Sequence, residues 1–560
     1  MPTQPGMDSP VVALDLDLHS TDERAPVDLP GNPDDAPAAK SRYWILEDTH
    51  YATLVRVVAL ICISLGVLLR VVQFGSVPAG LNQDEASVGY DAWCLAHYGT
   101  EGNGVRWPVH LISWGDGGNA SYAYMAMPFV AFGLSPFTLR LPMLIGSLAS
   151  LFLVWFVARR LFDEKAAWGS AAVVALSPWH IMLSRWALDC NALPFLFLCG
   201  LALLVASINA SRKFMWLLLA CVMFGISVYS YGAAYLAVPL FVLGALTVCA
   251  AGGLFNKRQV LTGIAVFALT ALPMGLYIFV GFFHWSSIHL AGITVPRLPR
   301  VPRFEKQLGA GLLPHIGQLL RLLVTQRDGT FYNVTDPYGV MYSSVFLALA
   351  LSLIVAIPIL VARRQWPLAR LFIPLWIIAC IPTGIVQEPN INRINLLLMG
   401  LIFTVGLALA TLDKWVRGAL VVGLVSLLIL SAFFARDYFT IQRVRIAIAF
   451  FDGLLPALAY ARSNTDANGN ICVTGKVNMP QIYTLFSNPS DEPEYVKTVR
   501  YVWNGTERTG EVTSYGRYTF GLQRCDFERA RTVVARHDEN IPPRFIVASS
   551  YKLYDVYLLR

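Results

Sequence analysis

Two adjacent carboxylates, Asp84 and Glu85, stand in the stretch Gly80-Leu-Asn-Gln-Asp84-Glu85-Ala-Ser-Val-Gly-Tyr90-Asp91-Ala-Trp93, shortly after the first long apolar run. A carboxylate at a membrane boundary is costly unless it is solvated, paired or used, and the Tyr and Trp that follow suit a lipid-water interface. One reading is a functional site at that interface. The other is structural: Asn82 or Asp84 caps a helix starting near Ala86, and Glu85 sits in its first turn, favoured by the helix dipole. Arg185 and Asp189 are four apart, so on one helix they share a face and pair. Arg185 also suits a phosphate, to which a guanidinium offers a planar fork. Arg393 opens another apolar run, where a lipid phosphate would sit. Tyr229, Tyr231 and Tyr235 belong either to the aromatic belt of the interface or to the flank of a lipid head group.

What must position these residues is a membrane. The chain has 560 residues, 56% hydrophobic and only 14% charged, against about 25% charged in soluble proteins. Its net charge of +7 is uneven: residues 1–50 carry ten acidic and three basic residues, which leaves +14 on the rest. That excess lies in short loops between apolar runs, where it sets topology, and a nucleic-acid partner is excluded on that ground. Nine scattered cysteines without a CxxC spacing define no metal site. Asp84, Glu85 and a phosphate would together suit a divalent cation, although no His or Asp cluster demands one.

The pattern predicts a multi-span α-helical membrane protein with a small α/β domain. Residues 1–50 are an acidic tail poor in aromatic residues, expected to be disordered. Eleven spans are expected over residues 51–435: Leu54–Phe74, Leu139–Val157, Ala166–Met182, Ala192–Ile208, Phe214–Tyr229, Ala233–Leu254, Val260–Phe283, Val340–Val361, Leu371–Val386, Ile394–Leu412 and Gly418–Ala435. Ser121–Gly133 is apolar but, at about 20 Å as a helix, too short to cross a core of about 30 Å. Leaving it out puts Arg159-Arg160 with Lys165, Arg212-Lys213, Lys257-Arg258, Arg363-Arg364 and Lys414 with Arg417 on one side, the cytoplasmic one by the positive-inside rule. The loops 75–138 and 284–339 then lie outside, the second with Arg297, Arg300, Arg303 and Lys306 near its start and Phe331-Tyr-Asn-Val-Thr-Asp336-Pro-Tyr338 placed to close over a site. Residues 436–560 have a soluble composition, with Ile471-Cys-Val-Thr and Phe545-Ile-Val-Ala as strands and Pro480–Phe486 as a helical turn. A Cys472 to Cys525 disulfide is open. The Asn-x-Thr/Ser triplets at Asn119, Asn333 and Asn504 carry no weight.

In order, Asp84-Glu85-Ala-Ser-Val-Gly-Tyr90, Leu139-Arg140-Leu-Pro142 opening a run that ends in Ala-Arg159-Arg160-Leu-Phe, Ala-Leu-Ser177-Pro178-Trp179-His180 with Ser184-Arg185, and Tyr229-Ser-Tyr231-Gly-Ala resemble the bacterial GT-C glycosyltransferases of the protein O-mannosyltransferase and aminoarabinose-transferase type. The layout covers residues 54–435; the mannosyltransferases' β-trefoil insertion is not seen. The resemblance implies transfer of a hexose or pentose, with inversion, from a polyprenyl-phosphate donor to an extracytoplasmic glycan, lipid or protein. Asp84 would be the base, Glu85 would orient it or the acceptor, and Arg185 and Arg393 would meet the phosphate. Asp189, Tyr90, His180, Tyr229 and Tyr231 would contact substrate. A transporter or flippase of lipid-linked sugars is the rival, but it should show internal repeats and polar, broken segments at mid-membrane.

Overall fold

The computed structural model describes residues 38–113, 117–290, 292–298, 312–342, 368–502 and 511–560. Residues 1–37 of the tail, the expected span beyond Tyr342, Arg363-Arg364, and the loop cations Arg300, Arg303 and Lys306 lie outside them. The chain divides into Met1–Tyr51 and Ala52–Arg560.

Helix α1 (Ala38–Val71) is followed by α2 (Gln83–Tyr98), the paired β1 (His110–Leu111) and β2 (Gly118–Asn119), and α3 (Ser121–Val130). Then come α4 (Pro136–Leu161), α5 (Glu164–Leu176), the short α6 (Pro178–Leu183), α7 (Asp189–Ser207), α8 (Lys213–Ser227), α9 (Ala234–Ala251) and α10 (Lys257–Phe282). The hairpin of β3 (Ile288–Leu290) with β4 (Ile293–Val295) and helix α11 (Leu312–Thr325) precede α12 (Phe372–Val386), α13 (Asn395–Leu412) and α14 (Ala419–Asp437). A π-helical turn, Tyr438–Gln442, passes into α15 (Arg443–Ala449).

Among the described residues eight helical runs are long and apolar enough to cross a membrane, which makes this a multi-pass membrane protein. Helices α5 and α8, with 13 and 15 residues, are shorter than a core of about 30 Å requires at about 1.5 Å per residue. The expected span Ala166–Met182 is broken: Ser177 is extended (φ −62°, ψ 124°) and Pro178 opens α6, because the residue before a proline avoids helical backbone. Carbonyls freed by the break find donors, as they must in lipid. Arg70 donates to Val174 and Ala175, and the Tyr342 hydroxyl to Leu176. Helices α5 and α13 touch backbone to backbone, since a Cβ on Gly406 would fall 2.2 Å from the Ser170 Cα.

Ion pairs gather α1 and two loops at one end of the bundle: Arg56 with Glu164 (2.7 Å), Lys165 with Asp413 (2.8 Å) and Lys414 with Asp163 (2.7 Å), while Arg370 donates to the Leu161 carbonyl. Arg70, near the other end of α1, meets the end of α5, so the loop leading to α2 emerges at the opposite end.

Beyond α15 follow α16 (Leu454–Ser463), β5 (Asn470–Val473), α17 (Pro480–Ser487), α18 (Glu492–Thr498), β6 (Arg500–Val502), β7 (Glu511–Tyr515), β8 (Tyr518–Phe520), β9 (Ala530–Arg536), β10 (Phe545–Ser550) and β11 (Tyr554–Leu559). They form one seven-stranded sheet, β10-β11-β9-β5-β8-β7-β6, in which β5 runs parallel to both neighbours and the remaining pairs are antiparallel. Cys472 and Cys525 are joined by a disulfide beside a core of Ala530, Val533, Ala535 and Phe545. The sheet region bears on α2 through α17: a Cβ on Gly89 would meet the Phe486 ring, and the Tyr483 hydroxyl donates to the Leu81 carbonyl at 3.0 Å.

Candidate active site at the start of α2

Helix α2 begins with a capping box. The Asn82 side chain accepts from the Asp84 N–H (2.8 Å) and Glu85 Oε2 accepts from the Asn82 N–H (3.2 Å), so two amides that would otherwise lack partners are satisfied reciprocally. Asn82, not Asp84, is the cap. The Asp84 side chain is left exposed, one residue from a fully buried Glu85.

Glu85 is saturated. Its oxygens accept from Arg140 Nε (2.8 Å) and Nη2 (2.7 Å), from the Ala187 N–H (2.9 Å) and from Asn82. Both oxygens are thus engaged in holding neighbouring elements together. Arg140, also fully buried, donates in addition to the carbonyls of Gly75, Pro78 and Gly80.

Arg185 does the same from the other side. Its Nε reaches Val77, its Nη1 Leu69 and Arg70, and its Nη2 Val72 and Gln73, five carbonyls at 2.8 to 2.9 Å. The fork meant for a phosphate thus faces the C-terminus of α1, whose unpaired carbonyls and dipole attract a cation for the same electrostatic reason. The expected pair with Asp189 does not form in a shared helix, because α6 ends at Leu183 and α7 starts only at Asp189. Together Arg140 and Arg185 pin the carbonyls from Leu69 to Gly80, the track that delivers the chain to Asp84.

The other expected contacts divide. His180 is buried with Nδ1 2.7 Å from Arg70 Nη2; a guanidinium only donates, so Nδ1 accepts, and the ring belongs to the interior rather than to a substrate surface. Tyr229 donates to the Thr270 carbonyl at 2.8 Å, between helices, and Tyr90 is buried beside Gly102. Tyr231 lies in the turn before α9. Asp189 is half-buried and takes both the N–H (3.2 Å) and the Nδ2 (2.8 Å) of Asn119, whose Oδ1 accepts from the Tyr235 hydroxyl at 2.8 Å. Asp84 and Asp189 are both within electrostatic reach of Cys190.

An aromatic cluster lies within electrostatic reach of Asp84 through Tyr332. Burial first, then the charges of Asp84 and Asp328, push the Tyr332 phenol above its usual range. The Tyr332 ring stands edge-on to Trp186 (5.5 Å, 89°), and Phe450 closes the group at 5.3 and 5.8 Å. Asp328 ties this loop to the turn before α13, accepting from Asn333 Nδ2 (2.7 Å) and the Ile391 N–H (3.1 Å). On that turn sits Arg393, half-buried, bonded through Nη1 to the Glu388 carbonyl. Among the described residues no group of three or more His, Cys, Asp or Glu could hold a metal ion. Sequence reasoning passed over Asn119, Trp186, Asp328 and the role of Arg140. Only Arg140 carried a signal, a charge in the first turn of an apolar run that has to find a partner.

The family model for dolichyl-phosphate-mannose-protein mannosyltransferase matches residues 120–277, from α3 to α10. The structure of ArnT from Cupriavidus metallidurans bound to undecaprenyl phosphate superposes with a TM-score of 0.50 at 12% identity, over 89% of this chain and 97% of that one. The chain has the GT-C fold. A lower-scoring match (TM-score 0.49, 12% identity) is the Archaeoglobus fulgidus oligosaccharyltransferase in complex with Zn and sulfate, over 86% of this chain and 68% of that one. No curated protein matches it in sequence. Arg140, Arg185, Asp189 and Tyr235 of this GT-C chain fall inside the family match, whereas Asp84 and the Tyr332 loop fall outside it.

Proposed function

We propose that the protein is a membrane glycosyltransferase that moves a hexose or pentose from a polyprenyl-phosphate donor to a glycan, lipid or protein acceptor outside the cytoplasmic membrane, with inversion. The observation that carries this reading is the exposed Asp84 beside a fully buried ion pair that fixes its backbone. Asp84 takes the proton of the acceptor hydroxyl as that oxygen bonds to the anomeric carbon. The bond from that carbon to the phosphate oxygen breaks, and the electron pair leaves with the polyprenyl phosphate. A base in such a place contributes about 10² to 10⁴ in rate. Arg393 meets the charge growing on the phosphate, and Tyr332, backed by Trp186, offers an aromatic ring to the sugar. Asp189, oriented by Asn119, accepts from sugar hydroxyls.

Two observations support the outward orientation. Basic loops collect at the end of the bundle opposite Asp84, as the positive-inside rule requires of the cytoplasmic end. A disulfide in the sheet region suits an oxidising compartment. The test is mass spectrometry of lipid-linked sugars and envelope glycans in cells lacking the protein: accumulated polyprenyl-phosphate sugar with one glycan missing is expected, and unchanged pools of both would refute the reading.

A further inference from the structure

A pocket of about 320 Å³ lies behind the Asp84 loop, lined by Gly75, Ser76, Gly80, Arg443, Asp452 and Tyr483 among others. Its size is that of a small-ligand site. Its depth in the bilayer follows from the helices that frame it. The α1 span ends at Val71, four residues before Gly75, and the α4 span starts at Pro136, which also lines the pocket. The third span in the frame, Ala419–Ala449, has 31 residues, roughly 46 Å at 1.5 Å per residue. Against a hydrocarbon core of about 30 Å, its last turns, Arg443 included, stand among the lipid head groups. Ile441, Val444 and Ile448 on those turns are exposed apolar residues and Arg445 is an exposed cation, the pattern of a helix lying in the interface.

The pocket itself is two-sided. Ala79, Leu81, Phe451, Leu455 and Pro456 make apolar walls. Asp452 is matched by Lys552 at 3.3 Å, which leaves Arg443 as the unbalanced charge. Arg443 is half-buried, and among the described residues its side chain makes one long hydrogen bond, 3.5 Å to Gln73 Oε1. A guanidinium so placed offers its remaining donors to a phosphate.

We infer that this pocket binds the phosphodiester head group of a membrane phospholipid, with Arg443 on the phosphate and the apolar walls around the glycerol. Arg393, the proposed donor-phosphate contact, is not among the residues that line this pocket. The pocket bears on the same machinery, because its wall is the segment that carries Asp84: the Leu81 N–H donates to the Phe450 carbonyl at 2.7 Å, and a Cβ on Gly80 would fall 2.2 Å from that oxygen. A bound lipid therefore buttresses the loop from behind.

The full chain, purified in mild detergent and supplied with phosphatidylglycerol, should retain one phospholipid in native mass spectrometry. Arg443→Glu should lower the retained fraction roughly tenfold, the worth of a charge-assisted contact, and Leu455→Trp should lower it by filling the pocket. Arg445→Glu, on the same helix but outside the pocket, should leave it unchanged. Diacylglycerol with the same chains should not be retained, and millimolar inorganic phosphate should not displace the phospholipid. Equal retention by Arg443→Glu and wild type, equal loss in Arg445→Glu, or equal retention of diacylglycerol would overturn the site; displacement by free phosphate would overturn the lipid as its ligand.

Discussion

The carboxylates at positions 84 and 85 are neighbours in sequence with opposite fates, Asp84 exposed and Glu85 fully buried. Glu85 is buried against a buried Arg140, and breaking such a pair leaves an uncompensated charge at a cost of about 3–5 kcal/mol. Glu85→Gln should therefore lower stability in detergent by that order, while Asp84→Asn should leave it unchanged; equal melting of Glu85→Gln and wild type would contradict the assignment. A second acidic pair, Asp91 and Glu101, is buried where α2 meets the loop after it. Asp91 Oδ1 accepts from the Gly102 N–H at 2.9 Å, and Glu101 accepts from Asn103 and Val105. Burial raises both carboxyls; the Glu101 charge adds to the rise at Asp91 and the sheet region's Glu492 adds to it at Glu101, which is pushed up to about 7, and Tyr495 lies within electrostatic reach of both. A raised acid keeps in the folded state a proton that the unfolded chain releases, so its contribution is complete below the unfolded value near 4.5 and is lost as pH rises through about 7. Amide exchange at residues 101–106 should accelerate across that window, and Glu101→Gln should flatten the dependence; a wild-type profile with no slope would remove the pair from this account.

At the scale of elements, the chain order of helices was legible because each apolar run is long and bounded by charges. Ser121–Gly133 was set aside as too short to cross, and its helix, α3, stops at Val130. What periodicity does not carry is a break inside an apolar run. Ser177-Pro178 divides one expected span into α5 and α6, and the unwinding after Leu183 sends Arg185 toward α1 instead of toward Asp189. Nor can spacing reveal that the track before α2 hangs from two guanidiniums reaching in from other elements. Arg185→Lys keeps the charge but has three donors for five carbonyls. It should lower turnover and speed hydrogen exchange over residues 69–78 with the spans intact; unchanged exchange there would make Arg185 dispensable to the track. In the sheet region, β5, β10 and α17 were readable from short apolar runs, whereas the Cys472 to Cys525 link needed coordinates. That link closes 53 residues, so Cys525→Ser should destabilise the sheet region by about 2–4 kcal/mol, measured as earlier protease cleavage beyond residue 450.

Across the whole molecule, the proposal needs Asp84 and the sheet region on the outer side of the membrane and the loop at 164 on the inner side. The free cysteines among the described residues are buried or half-buried, so new ones report cleanly: an impermeant thiol reagent added outside should label Lys552→Cys and miss Glu164→Cys, and the opposite pattern would place the site in the wrong compartment. The central claim is that Asp84 takes the acceptor's proton, and turnover of Asp84→Asn tests it most directly. Asn is nearly isosteric with Asp and disturbs no hydrogen bond of the capping box, yet it cannot take a proton. With purified protein, a polyprenyl-phosphate sugar and a competent acceptor, the variant should bind donor as the wild type does and transfer it about 10² to 10⁴ times more slowly. Near-normal transfer by Asp84→Asn would contradict the account and move the search for the base to Asp189.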